Sequence, residues 1–219
     1  MSPAPATSAA SSRRQRVHAA VRELMAEQGF RVSMDAVALR VGCSKQTLYA
    51  DFGSKQALMR SVVQEHMDLS TARLDDTDAD LRQTLVDFAL QHAARLSDPT
   101  IVTTCQLLIA EASAFPEEAQ ALYRDGLDAL QQRLADWLEQ RMRRGELRPG
   151  AARPAAELLL GMVGGLEFER RRFAVAHREN DAQRRQWAEF SVDAFLRAYA
   201  SDPIGPASPS LSRTSSSCG

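Results

Sequence analysis

The sequence has little that would support a membrane protein, an exported protein or a disulfide framework. Its longest stretch without charged or strongly polar residues runs only from Leu158 to Leu166, far short of the roughly 20 apolar residues of a membrane span. The N-terminus lacks the apolar core of a secretory signal. The three cysteines, Cys43, Cys105 and Cys218, are scattered without CxxC spacing, so we expect neither disulfides nor a zinc site. We therefore expect a cytoplasmic protein.

Motifs that carry catalysis or bind a cofactor are also missing. The four histidines, His18, His66, His92 and His177, are far apart and fit no HExxH or comparable metal spacing. No GxSxG, GxxxxGKS or strand-preceded GxGxxG run is present. We expect no metal, no cofactor and no enzymatic activity, since an all-helical enzyme would need a cluster of acids or nucleophiles that the sequence does not offer.

Charge is divided unevenly along the chain. The formal net charge is −1, but residues 1–60 carry nine basic and four acidic side chains (+5), whereas residues 61–219 carry eighteen and twenty-four (−6). Lys45 and Lys55 are the only two lysines. A basic first quarter on a mildly acidic remainder predicts an anionic partner for the N-terminal part.

Apolar residues recur at intervals of three and four, and no alternating β pattern of useful length appears. The predicted fold is all-α, with an N-terminal three-helix domain over residues 13–60 and a larger helical domain over 61–200. The tails, 1–12 and 201–219, are rich in Ala, Ser and Pro and are predicted to be disordered. The first helix is placed at 13–28, and the later ones at 81–97, 99–114, 117–144 (with a possible kink at Gly126), 153–177 and 182–200.

Residues 33–55 carry the pattern of a helix-turn-helix. Ser33, Ser44 and Ser54 are placed to cap successive short helices, with Gly42 in the first turn. Placing Leu48 and Phe52 toward the core turns a short, slim, hydrogen-bonding edge of the second helix outward. From this edge, Lys45, Gln46 and Tyr49 are predicted to read base edges, while Ser33, Ser44, Thr47 and Lys55 hold phosphates.

The segment GCSKQTLYADFGSKQAL, within residues 13–63, resembles the DNA-binding domain of the TetR/AcrR family of bacterial transcriptional regulators. The resemblance implies that Tyr49 and Lys55 contact operator DNA, with Lys45, Gln46 and Thr47 also within reach. It further implies an obligate homodimer with a ligand-binding helical body. The later run IAEASAFPEEAQALYRDG resembles the C-terminal domain of AefR-like members.

Two positions depart from the family pattern. Asp51 stands where a neutral or basic residue is common, so its carboxylate either repels phosphate or pairs with an arginine; it is not counted as a DNA contact. Cys43 replaces a common Val, and we interpret it as a small buried apolar residue rather than a redox switch.

In the body, most apolar residues at helical spacing are expected to be core; these are Phe88, Leu107, Leu108, Phe115, Leu127, Leu130, Leu134 and Trp137. Polar residues set among them are candidates for orienting a ligand, although an exposed or internally satisfied side chain is the alternative for each. These candidates are His66, His92, Cys105, Glu111 and Tyr123.

The last two predicted helices suggest a dimer interface. The segment from Leu158 to Phe168 is apolar almost all round, and Trp187, Phe190 and Phe195 form a stripe on the final helix, so two such helices from each subunit can build a four-helix contact. A thick monomer core is the alternative.

The predicted function is a ligand-responsive regulator, a repressor that binds double-stranded palindromic operator DNA as a homodimer and is released by a small-molecule inducer. The competing hypothesis is a helical small-molecule carrier or sensor that does not bind DNA.

Overall fold

The computed structural model describes residues 6–75, 79–175, 177–199 and 201, and all regular elements within these residues are helical. This confirms the all-α prediction. The α-helices of the described residues, in chain order, are α1 (Ala6–Gln28), α2 (Met34–Val41), α3 (Lys45–Phe52), α4 (Lys55–Thr71), α5 (Leu81–Leu96), α6 (Pro99–Glu111), α7 (Pro116–Tyr123), α8 (Ala129–Arg143), α9 (Ala152–Gly164), α10 (Glu167–Arg172) and α11 (Asp181–Tyr199).

Helix α1 starts earlier than the sequence suggested. It begins at Ala6 rather than residue 13, so part of the segment predicted as a disordered tail is helical. Alanine is the best helix former and serine is tolerated, and adding residues to an existing helix is much easier than nucleating one. Residues 1–5, and 202–219 of the predicted C-terminal tail, lie outside the described residues.

The helix predicted over residues 153–177 is in fact two helices, α9 and α10, separated at Gly165. Gly165 has φ +53° and ψ −129°, a conformation that L side chains rarely adopt. A Cβ there would also lie 3.1 Å from Cζ2 of Trp187 on α11. The backbone therefore turns at this glycine and ends α9, and residues 173–175 and 177 lie outside any helix.

The predicted kink of the long helix at Gly126 takes the form of a π-helical turn over Arg124–Asp128. Gly126 is buried there, and a Cβ on it would lie 3.6 Å from Cγ1 of Val63 on α4. The wider turn changes the face on which later residues lie. Leu127, expected in the core from its spacing, is consequently 55% exposed.

Two clusters of buried residues organise the described chain. The first, which we call the head core, joins α1, α2, α3 and the start of α4 and also contains Leu108 of α6. The second, the body core, is built from α5, α8, α9 and α11 around Phe88, Leu134 and Phe195. None of the described helices is both long and apolar enough to cross a membrane. Because α6 supplies Leu108 to the head core, the head and body share packed side chains.

Candidate nucleic-acid interface

The helix-turn-helix is fixed by local capping contacts. Ser33 Oγ accepts a hydrogen bond from the Ala36 amide (3.1 Å) at the start of α2, and Ser44 Oγ accepts one from the Thr47 amide (3.0 Å) at the start of α3. Gly42 ends α2 with φ +73°, in the left-handed region. These caps satisfy amides that have no partner within their own helix, so α2 and α3 begin where the sequence predicted.

The rotation of α3 also agrees with the prediction. Leu48 is fully buried in the head core and Phe52 is half-buried against it. Gln46 and Ala50 are exposed, and Tyr49 is 44% exposed. The side of α3 that carries Gln46 and Tyr49 therefore faces out, as a helix entering a major groove requires.

The hydroxyl groups predicted to hold phosphates are engaged in the caps. Ser44 Oγ lies 2.8 Å from Thr47 Oγ1, in addition to its bond from the Thr47 amide. Ser33 and Ser44 remain exposed, and Thr47 is half-buried. A serine hydroxyl has two lone pairs and one proton, so capping leaves Ser33 able to donate its proton to a phosphate. The hydroxyl pair of Ser44 and Thr47 uses one proton between its two oxygens and keeps the other for a phosphate.

Lys45 has a partner that sequence reasoning missed. Its ammonium lies 2.7 Å from Oδ2 of Asp35, in the first turn of α2, and both side chains are exposed. The hydrogen bond to Asp35 raises the pKa of Lys45. Asp35 therefore neutralises one of the cations that the sequence assigned to DNA, and DNA would have to replace it.

Lys55 lies at the start of α4 and is half-buried. Its Nζ donates a hydrogen bond of 3.0 Å to the Phe30 carbonyl, in the turn between α1 and α2. An ammonium has three donors, so Lys55 can hold this turn and still offer protons to a phosphate. This bond was not apparent from the sequence because 25 residues separate its partners.

The first half of α1 brings two further cations close to α3. Arg13 pairs with Asp51 at 3.5 Å, and the Arg14 guanidinium lies 5.4 Å from the centre of the Phe52 ring. Together the four side chains line a crevice of about 150 Å³. Asp51 thus takes the second of its two predicted roles, pairing with an arginine. The Arg13–Arg14 pair in the sequence was the signal that could have identified these residues.

Glu111, predicted as a ligand-binding residue, instead connects the body to the head. The side chain is buried at the end of α6, where Oε2 accepts a hydrogen bond from the Phe30 amide (3.0 Å) and Oε1 pairs with Arg31 (2.8 Å). Gly29 leaves room for this carboxylate, since its Cβ would collide with Glu111 Oε2. The Phe30 and Phe115 rings pack 5.9 Å apart beside it. The turn that Lys55 holds from the head is therefore held from the body by Glu111.

The other four ligand candidates lie in different surroundings. His66 and His92 lie close enough to Arg95 for its charge to act on both, and burial together with that charge lowers the pKa of each to about 4. Cys105 is half-buried, and burial raises the pKa of its thiol. Tyr123 is 57% exposed on α7. Of these four residues, the two histidines are near enough for the charge of His66 to act on His92.

A groove of about 540 Å³ lies elsewhere, between the α9–α10 turn and α11. Its lining includes Gly165, Leu166, Arg170, Arg178 and Trp187, and it contains none of the five predicted ligand residues. Among the described residues, no group of three or more His, Cys, Asp or Glu side chains could hold a metal ion.

Two family descriptions match the chain and together cover most of the described residues. Residues 18–62 match "Bacterial regulatory proteins, tetR family", and residues 83–201 match "AefR-like transcriptional repressor, C-terminal domain". The chain belongs to the TetR family of bacterial transcriptional regulators. Within that family its body is of the AefR-like type, as the later sequence run had indicated. No curated protein matches the sequence.

Solved structures of TetR-family regulators have the same fold. A regulator from Mesorhizobium loti is 25% identical, with a TM-score of 0.69 and coverage of 87% of this chain and 98% of that one. The Flavonoid-responsive Regulator FrrA is 30% identical, with a TM-score of 0.67 and the same coverages. NalD of Pseudomonas aeruginosa, the secondary repressor of the MexAB-OprM multidrug efflux pump, is 23% identical, with a TM-score of 0.60 over 88% of this chain and 99% of that one. It shares the fold.

Proposed function

We propose that this TetR-family regulator is a repressor that binds a near-palindromic operator as a homodimer and leaves it when a small molecule binds the body. The observation that carries the proposal is the outward edge of α3, held by the burial of Leu48 and capped by Ser44. Bacterial DNA lies in the cytoplasm, so the proposed function places the protein there.

In the proposed complex, α3 enters the major groove. Gln46 and Tyr49 contact base edges, and Lys45 joins them when DNA displaces Asp35. Ser33, Ser44, Thr47 and Lys55 contact the flanking phosphates. Arg13 and Arg14, in the first half of α1 beside α3, add two cations to the phosphate-contacting set.

Exposed apolar residues on the last helices support the homodimer. Leu158 on α9, Leu166 at the α9–α10 turn and Phe190 on α11 are 46%, 59% and 59% exposed. A thick monomer core would have covered these side chains, whereas a second copy packed through the same helices removes them from water. Two heads joined in this way would meet operator half-sites about 34–36 Å apart.

Support for ligand response comes from the link between body and head. Glu111 and Phe115 of the body contact the α1–α2 turn, which Lys55 also contacts. An inducer that binds one arrangement of the body more tightly than another would shift the position of the heads through these contacts. FrrA is named as flavonoid-responsive, and an inducer of comparable size is expected here.

The proposal is tested by isolating the genomic fragments that the purified protein retains and measuring its affinity for them. Tyr49→Ala should lose specific affinity by about 1–3 kcal/mol, roughly 5- to 150-fold. Lys55→Ala should weaken binding to every duplex and flatten its salt dependence. Arg143→Ala, an exposed arginine of α8 in the body, is the matched control and should bind like the wild type.

Binding to random duplex DNA at low salt distinguishes a repressor from a small-molecule carrier that does not bind DNA. A repressor should bind it and lose affinity steeply as salt rises. If neither genomic fragments nor random duplex is retained, or if Tyr49→Ala and Lys55→Ala bind like the wild type, the assignment fails.

A further inference from the structure

Helix α5 carries two buried polar atoms without a partner. Neither Gln91 Oε1 nor Arg95 Nη1 has a hydrogen-bond partner among the described residues, and each is closed to solvent. The two residues are four positions apart, so they lie on the same face of the helix, one turn from each other. Leaving such atoms unpaired is unfavourable, more so for a charged group, so a partner from outside the described residues is expected at this face.

Arg95 differs in its ion pairing from two largely buried arginines of the body, Arg141 and Arg178. Arg141 pairs with Glu146 at 2.9 Å, and Arg178 pairs with Glu167 at 3.2 Å. For Arg95, no carboxylate of the described chain lies within ion-pair distance, and burial alone lowers the pKa of its guanidinium. A half-buried positive charge without a counter-charge is unfavourable in the free protein. A bound anion would neutralise the charge of Arg95.

Neutral aromatic rings lie near Arg95, although charged groups, Asp98 among them, also act on His66. His92 is nine-tenths buried and stacks in parallel on Phe88, with ring centres 6.1 Å apart. His66 approaches from α4, close enough for the charge of Arg95 to act on it. Both imidazoles are neutral at pH 7 because their pKa values are about 4. The positive charge of Arg95 therefore lies near flat, neutral rings. Such surroundings favour a ligand whose body is apolar or aromatic.

We propose that Arg95 and Gln91 form the polar end of the effector site and that the effector is a small acid. It has an apolar or aromatic frame that carries a carboxylate or an ionised phenol, together with one hydrogen-bond donor. The guanidinium of Arg95 binds the anion through two parallel hydrogen bonds, and Gln91 Oε1 accepts from the donor. This inference rests on the proposed function, which supplies the ligand response.

The position of the site fits a role in that response. His66 is on α4, the same helix that begins with Lys55 at the DNA-facing surface. A helix transmits displacement along its axis because its backbone hydrogen bonds are continuous. An acid bound between Arg95 and His66 thus contacts the element that connects the body with the α1–α2 turn.

The test uses three probes that share one ring: 3-hydroxybenzoate, benzoate and 3-hydroxybenzyl alcohol, titrated calorimetrically into the full-length protein. The expected order of affinity is 3-hydroxybenzoate, then benzoate, then the neutral alcohol. Arg95→Met keeps the length of the side chain and removes its charge, and should weaken binding of both acids by about 10- to 100-fold. Gln91→Leu should abolish the preference for 3-hydroxybenzoate over benzoate.

Two variants serve as controls. Arg143→Met removes an exposed arginine of α8 and should leave acid binding unchanged. Arg95→Lys keeps the charge but loses the planar fork, and should give an intermediate affinity. Circular dichroism verifies the fold of each variant. If Arg95→Met fails to fold, the acid affinities of Arg95→Lys and Gln91→Leu are compared with that of the wild type instead.

The inference is overturned if no acid binds at millimolar concentration, if Arg95→Met binds the acids as tightly as the wild type, or if the alcohol binds as tightly as benzoate. Operator affinity is measured separately. Acid binding through Arg95 without any change in operator affinity would support the site but contradict the ligand response. Release of DNA by neutral compounds alone would contradict the site and leave the repressor function standing.

Discussion

Oε2 of Glu111 lies 3.0 Å from the amide nitrogen of Phe30, although 81 residues separate them in the chain. The carboxylate accepts the amide proton while its other oxygen pairs with Arg31. The turn between α1 and α2 is therefore fastened to the end of α6. Since Lys55 binds the carbonyl of the same Phe30, one peptide segment receives contacts from the body and from the first residue of α4.

Removing this acceptor should destabilise the protein. Glu111→Leu leaves the buried amide of Phe30 without a partner, and we expect the free energy of unfolding to fall by about 1–3 kcal/mol. Glu111→Gln keeps an acceptor oxygen and should cost less. Urea unfolding at pH 7 measures both variants, and equal losses for the two would show that the hydrogen bond is not what Glu111 contributes.

Gly29→Ala and Gly42→Ala form a matched pair. Both glycines have positive φ, +59° and +73°, which costs an alanine about 1–2 kcal/mol. The Cβ at residue 42 meets open space, whereas the Cβ at residue 29 meets Glu111 and Leu107. We expect Gly29→Ala to lower the free energy of unfolding by clearly more than Gly42→Ala. Chemical denaturation of both proteins measures the difference, and similar losses would argue against the close approach at Gly29.

Asp35→Asn should strengthen DNA binding. The substitution removes the carboxylate that pairs with Lys45, so the ammonium becomes available and a charge that repels phosphate disappears. We expect affinity for operator and for random duplex to rise about two- to tenfold at low salt, with a smaller gain at high salt. Fluorescence anisotropy of labelled duplexes measures this. Unchanged or weaker binding would place Asp35 outside the DNA-facing surface.

Stability should fall as the pH drops below about 6.5. Burial, then the charge of Arg95, then that of His66 lower the pKa of His92 from 6.5 to about 4. The unfolded chain therefore binds this proton at a higher pH than the folded chain, and stability is lost as the pH falls from 6.5 toward 4. A shift of this size corresponds to about 3 kcal/mol at its full extent.

His92→Leu is the variant that isolates this effect. Other groups also titrate in the same range, but the difference in unfolding free energy between wild type and His92→Leu should change with pH only through His92. We expect the wild type to lose stability relative to the variant between pH 7 and pH 4.5. Denaturation curves at several pH values give the difference, and a constant difference would contradict the lowered pKa.

Phe190→Arg should weaken the proposed homodimer. Phe190 is 59% exposed on α11, and two copies of a new guanidinium across a two-fold contact would repel each other and leave buried charge unpaired. Sedimentation velocity should show a shift toward monomer. Leu69→Arg, which replaces an exposed apolar residue of α4, is the control and should stay a dimer. Retention of the dimer by Phe190→Arg would exclude this face.

Local signals in the sequence predicted much of the candidate interface. Ser33, Ser44 and Ser54 cap the helices that follow them, and the spacing of Leu48 and Phe52 set the rotation of α3. Capping and amphipathic periodicity act over a few residues, so they can be recognised without knowing the rest of the fold. The same signals failed at Leu127, where the π-helical turn breaks the period, and at Gly165, where α9 ends.

The sequence by itself determined the all-helical class, the helix-turn-helix and the outward edge of α3, because each follows from short-range capping, periodicity and steric rules. Only the tertiary structure decided which charges meet. It paired Lys45 with Asp35 and Arg13 with Asp51, assigned Glu111 to the α1–α2 turn, and left Arg95 without a counter-charge among the described residues. Whether two charges pair, or a buried polar atom lacks a hydrogen-bond partner, depends on which helix surfaces pack together. That packing is decided by the whole chain.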